Sequence, residues 1–165
     1  MRRIVFLDSS VLLNLLAVPR KSSQREEVVR RFQELRKPEA GVLLVVPIAA
    51  VVEVGNHLAQ LHRDERAKPC QAFGDLLRAA VAGRVPFLLS GAGWDGDFLS
   101  KLIEGPTPDR RMDVLCQRGV GAGDASILLE VEHYLDRIDV GSGTPCEIWT
   151  YDDGLRTMAS AIGCA

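Results

Sequence analysis

A chain of 165 residues fits one domain, spanning 1–165, with a sizeable core; 47% hydrophobic and 25% charged residues give it the composition of a soluble globular protein. The formal net charge of −2 argues against a broad electrostatic grip on nucleic acid, but not against a local basic patch. The apolar stretch near the N-terminus is short and broken by Asp8, so it reads as neither a signal peptide nor a membrane span.

"IVFL" (4–7) opens the chain as a continuous apolar run suited to a strand buried on both faces, and it runs straight into Asp8, Ser9 and Ser10. Residues 23–36 are predicted helical from the stripe Val28, Phe32 and Leu35. Arg25, Arg30, Arg31, Arg36 and Lys37 share that region, and residues 1–40 hold nine Lys or Arg against five Asp or Glu. A solvated helix face explains them better than a dedicated nucleic-acid patch. "VLLVV" (42–46) is a second strand, and helices are predicted over 48–62 and 70–82. "VPFLLS" (85–90) is a further strand that Pro86 pushes to an edge.

A helix over 94–104 leads into a loop, "EGPTPDRR" (104–111), with Pro106 and Pro108 as breakers. Ile127, Leu128, Val131 and Leu135 mark a helix over 124–136, "VGSGTP" (140–145) is a loop, and "EIWT" (147–150) is a weaker strand. Alternating strands and helices imply an α/β domain with a mainly parallel sheet. Sites in such sheets form outside the carboxyl ends of the strands. The cysteines, Cys70, Cys116, Cys146 and Cys164, have no Cys-x-x-Cys spacing. A zinc ribbon is therefore not expected, and reduced thiols in a cytoplasmic protein are.

Acids stand at telling places in this pattern. Asp8 closes the first strand; helix capping would explain it, but Ser9 or Ser10 can also cap. Glu53 is the only ionisable group between Gly41 and His57, and lies on a polar stripe with Asn56, His57 and Gln60, opposite Ala50, Val54, Leu58 and Leu61. Asp124 suits an N-cap, yet it falls on the apolar stripe of its helix and follows Gly119, Gly121 and Gly123. Asp152 and Asp153 follow the last strand in a turn ended by Gly154. Converging at one sheet edge, such carboxylates would raise one another's pKa, and a divalent cation would relieve the repulsion. Oxygen ligands suit Mg²⁺ or Mn²⁺ rather than zinc.

Taken in order, "FLDSSVLLNLL", Glu53 after "VLLVVP", "GAGDASILLE" and "WTYDD" resemble the PIN-domain ribonucleases, whose best-known bacterial group is the VapC-like toxins. The resemblance covers nearly the whole chain. It implies a three-layer α/β/α fold with a central parallel sheet and Mg²⁺- or Mn²⁺-dependent cleavage of RNA, leaving a 5′-phosphate and a 3′-hydroxyl. On it, Asp8, Asp124 and Asp152 are metal ligands, and Glu53 orients the attacking water or joins as a ligand. Ser9 or Ser10 matches the polar position after the first acid, Thr150 the hydroxyl two positions before the last, and Asp153 is a substitute for Asp152. Toxin-like members are usually homodimers neutralised by a protein antitoxin, and the resemblance permits that here. The chain is longer than compact toxin members around 62–72 and 104–118, and it lacks strong positive charge.

Other readings predict different chemistry. A haloacid-dehalogenase-like phosphatase would carry a second Asp where Ser10 stands. Zinc hydrolysis through Glu53, His57, His62 and His133 lacks a His-Glu-x-x-His pattern, and His62 falls on a different side of the helix. A non-enzymatic RNA- or partner-binding module would retain the acids without turnover.

Overall fold

In the computed structural model, which describes residues 3–84, 86–138 and 144–164, the first apolar run forms β1 (Arg3–Leu7), whose last four residues are all buried. Four consecutive apolar residues can be hidden only where both faces of a strand are covered, and β1 takes that place. It pairs in parallel with β2 (Val42–Val46) on one side and with β4 (Cys146–Trp149) on the other. β3 (Phe87–Leu89) pairs in parallel with β2, giving the order β3-β2-β1-β4. Pro86 precedes the edge strand, where a missing N–H is tolerated. All four strands end at one side of the sheet. The order reverses between β1 and β4, so the crevice of an open α/β sheet opens beside Asp8 and Thr150.

Helices cover both faces, making the three-layer α/β/α arrangement. α1 (Ser9–Leu15) and α2 (Arg25–Leu35) follow β1; α3 (Ile48–Ala59) and α4 (Arg63–Val81) follow β2. α5 (Gly96–Glu104), α6 (Met112–Gln117) and α7 (Ala122–Arg137) lie between β3 and β4, and α8 (Asp153–Ala161) comes last. The apolar stripes point as predicted: Ala50, Val54, Leu58 and Leu61 are buried, as are Ile127, Leu128 and Val131. Phe6 of β1 meets Tyr134 of α7 edge-to-face, with ring centroids 5.4 Å apart. Such a pair contributes about 0.5–1.5 kcal/mol beyond its area, and it fixes α7 against the central strand.

Several local expectations change. The helix expected over 70–82 begins at Arg63 and contains Pro69, which is buried; burial of Pro69, Leu76 and Ala80 along one side outweighs the bond a proline removes. The preceding helix ends at Ala59 rather than residue 62. α1 (Ser9–Leu15), α6 (Met112–Gln117) and α8 (Asp153–Ala161) are short helices outside the expected set. Most of the loop expected over 140–145 lies outside the described residues.

The thiol expectation is also corrected. Cys146 and Cys164 form a disulfide, with Cα atoms 4.7 Å apart, while Cys70 and Cys116 are free and exposed. The chain after α8 returns beside β4, a proximity that a separation of 18 residues does not reveal. Among the described residues, no helix is long and apolar enough to cross a membrane.

The basic residues of α2 support the fold. Arg25 donates to the carbonyls of Asn14 and Leu15 at 2.8 and 2.9 Å, closing the end of α1. Arg31 pairs with Glu147 and sits 4.4 Å from the centroid of the Trp149 ring. These contacts agree with a structural use of the basic helix.

Candidate active site

Asp8 leaves β1 at the reversal in strand order, and its backbone N–H still donates to the Trp149 carbonyl at 3.1 Å. Its carboxylate is buried, and one oxygen, Oδ2, accepts from the Ser10 N–H at 3.3 Å, the Ser10 hydroxyl at 2.6 Å and the Thr150 hydroxyl at 2.8 Å. Asp8 is therefore itself the N-cap of α1. That corrects the expectation that Ser9 or Ser10 would cap in its stead: α1 begins at Ser9, so only Asp8 has the extended backbone of a cap. Capping does not exhaust the group, because among the described residues Oδ1 accepts nothing.

Asp152 repeats the device at the far strand. It caps α8 through an Oδ1 bond from the Leu155 N–H at 2.8 Å. The Thr150 hydroxyl links the two acids, donating to Asp8 and accepting from the Asp152 N–H at 2.9 Å. Ser10 makes a parallel link by accepting from the Tyr151 N–H at 3.1 Å. Gly154 leaves Asp152 room: a Cβ there would lie 3.0 Å from Oδ1, so the capping carboxylate would have to shift by a few tenths of an ångström. Asp153 does not share the cleft. Its side chain is 92% exposed and pairs with Arg156 at 2.7 Å.

Asp124 is not an N-cap. α7 starts two residues before the predicted boundary, Gly121 is the cap, and Asp124 stands in the first turn. Its carboxylate, among the described residues, accepts no hydrogen bond. Burial pushes its pKa up to about 6, reinforced by the charges of Asp152, Asp8 and Glu53 in that order. Glu53 approaches from α3. Its Oε2 would be 3.8 Å from a Cβ at Gly123, and its Oε1 is 4.0 Å from His57 Nε2. Asp8, Glu53, Asp124 and Asp152 thus line one cleft of about 240 Å³, with Ser9 and Ser10 on the same wall and Lys21 and His57 at its rim.

The donor set is made of oxygens, with no cysteine and a single histidine at the edge, which matches Mg²⁺ or Mn²⁺ in kind. Among the described residues, no three His, Cys, Asp or Glu side chains already close to form a metal-binding group. The constellation for zinc hydrolysis is not assembled. His62 is exposed at the start of α4, and His133 lines a separate cavity with Glu132 and Asp136.

One residue that sequence reasoning missed organises this region. Glu130, fully buried on α7, accepts from the Ile48 N–H at 2.7 Å and the Ala49 N–H at 2.8 Å, so it caps α3 from another helix. Pro47, the residue in the cap position of α3, offers no side-chain bond. Glu130 also accepts from the Ser90 hydroxyl and from Trp94 Nε1, the latter at 3.2 Å. It thereby holds the helix carrying Glu53 against the helix carrying Asp124. The signal in the sequence was an acid in the run "ILLEVEHYL", where the neighbouring residues are apolar.

No family model matches this chain, and no curated protein matches it either.

Proposed function

We propose that the chain is a PIN-type ribonuclease that hydrolyses RNA phosphodiester bonds internally with Mg²⁺ or Mn²⁺. The observation that carries this is the gathering of Asp8, Glu53, Asp124 and Asp152 around one cleft at the carboxyl edge of a parallel sheet. Asp8, Asp124 and Asp152 would hold the cation, with Glu53 orienting the attacking water or joining as a ligand. When bound, it would lower the pKa of the attacking water and stabilise charge on the scissile phosphate.

The protein's own groups do the positioning. Ser10 and Thr150 fix one oxygen of Asp8 and leave the other free for the cleft. The helix bond from Leu155 does the same for Asp152. Glu53 would be the group placed to orient the water for in-line attack, and Lys21, which lines the cleft, would hold a flanking phosphate. The products are a 5′-phosphate and a 3′-hydroxyl. The same reading carries a homodimer, a toxin role with a protein antitoxin, and action in the cytoplasm; the Cys146–Cys164 bond is the one feature that pulls against that compartment.

A second reading is an RNA- or partner-binding module with little turnover, in which the same acids are kept without cleavage. The two separate on purified protein incubated with linear and closed circular RNA and either metal. Cleavage of both RNAs by the wild type, lost in Asp8→Asn and Asp124→Asn, is expected. Wild-type-level cleavage by both variants at matched purity would sink the ribonuclease assignment, and RNA binding without cleavage by the wild type would favour the module.

A further inference from the structure

Beside the acidic cleft lies a second concavity of about 440 Å³, formed by α3, α5 and the start of α7. Its wall is apolar where Val52, Trp94, Phe98 and Leu102 line it, and Glu53 and Asp124 belong to both hollows. We propose that this groove seats one unstacked nucleobase of a single-stranded RNA, placing the adjoining phosphate at the carboxylates. The inference rests on the ribonuclease reading and adds to it a base platform at Trp94.

Trp94 is built as a platform. One face of its indole stacks on Phe98, with centroids 5.6 Å apart and planes 17° from parallel. Its Nε1 is tied to buried Glu130 at 3.2 Å. The residue nevertheless stays 44% exposed, so part of its surface remains open to the groove. A rigid, half-exposed aromatic surface suits a base, because every base offers a π-face and the ring loses little freedom on binding.

The start of α7, which also lines the groove, points to a phosphate nearby. α7 is a 16-residue helix whose N-cap, Gly121, makes no side-chain bond. Its first N–H groups have no intrahelical partner, and residues 121–123 carry no side chain larger than a methyl group. The backbone there lines the groove and can be approached closely, and the next residue, Asp124, lines both hollows. A second copy of the chain fits less well. A two-fold contact through this patch would bring Glu53 and Asp124 toward their own equivalents and close the cleft to the RNA that the proposed function requires.

The test uses wild-type protein, Trp94→Leu and Trp94→Phe, with Mn²⁺ and a single-stranded RNA in which an abasic residue is moved position by position. In the wild type, one position next to the cut should raise KM about 5- to 100-fold with kcat nearly unchanged. Trp94→Leu should raise KM for the intact RNA similarly and abolish the positional effect, and Trp94→Phe should restore it. If RNA is cut but the abasic scan is flat, the base site is overturned while the nuclease reading stands. If the wild type cuts no RNA with either metal, both fall. If Trp94→Leu converts a dimer to a monomer in sedimentation without changing the abasic profile, the groove is a contact between copies and the proposal is overturned.

Discussion

Removing the Glu130 carboxylate should loosen the frame on which the acids stand. The side chain is fully buried and its four partners are all donors: two backbone N–H groups of α3, the Ser90 hydroxyl and Trp94 Nε1. Glu130→Ala strands those donors and opens a void. An orphaned buried donor costs about 1–3 kcal/mol, and a lost helix cap about 1 kcal/mol. These losses overlap, because water and neighbouring turns recover part of them, so the expected total is about 3–5 kcal/mol. Glu130→Gln keeps the shape but turns one acceptor into a donor facing an N–H or a hydroxyl, which should cost about 1–3 kcal/mol. Urea unfolding followed by far-ultraviolet circular dichroism measures both, with an unchanged m-value confirming that the loss is in stability. Because α3 carries Glu53, Mn²⁺ affinity measured on the folded Gln variant should fall as well. A loss under about 1 kcal/mol for Glu130→Ala would refute the reasoning, since α3 would then be held by its apolar face alone.

Asp124 makes stability depend on pH and on cation. Its folded pKa is raised to about 6 from an ordinary 3.8, so the folded state binds the proton more tightly and the metal-free protein gains stability from this group as pH falls from above 6 toward 4. The side chain is only half buried, and screening reduces the effect to about 1–2 kcal/mol. Asp124→Asn should therefore raise Tm in EDTA at pH 7.5, and Mg²⁺ should raise the wild-type Tm more at pH 7.5 than at pH 5. Equal Mg²⁺ shifts at both pH values would count against a cation at this carboxylate. Thr150→Val removes the hydroxyl bridge between Asp8 and the Asp152 N–H; calorimetry should find about 1–3 kcal/mol less stability and Mn²⁺ titration about 10- to 100-fold weaker binding. Cys164→Ala opens a loop closed across 18 residues and should cost about 3 kcal/mol. Thiol titration of the denatured, unreduced chain should find two free groups, and four would disprove the bond.

The candidate acids were legible because their types broke a local pattern. Asp8 ends an apolar run, Glu53 stands alone in a long uncharged segment, and Asp124 interrupts an apolar stripe. Their chemistry as caps was legible only in part. Which residue caps depends on where the backbone first turns helical, and a shift of one or two residues moved that role to Asp8 and away from Asp124. Asp152 and Asp153 were indistinguishable as a pair of adjacent acids. The start of α8 separates them, turning one toward the cleft and leaving the other in solvent beside Arg156.

Local sequence determined what is local: apolar runs of strand length, stripes of helical period, and from their alternation a parallel α/β sheet whose carboxyl edge is the place to look. Tertiary structure alone decided which distant groups meet. Thr150 reaches Asp8 across 142 residues, Cys164 returns to Cys146, and Glu130 caps a helix that begins 82 residues earlier. Hydrogen bonds of that kind depend on strand order and helix placement, which arise from packing the whole core and leave no periodic trace in the chain.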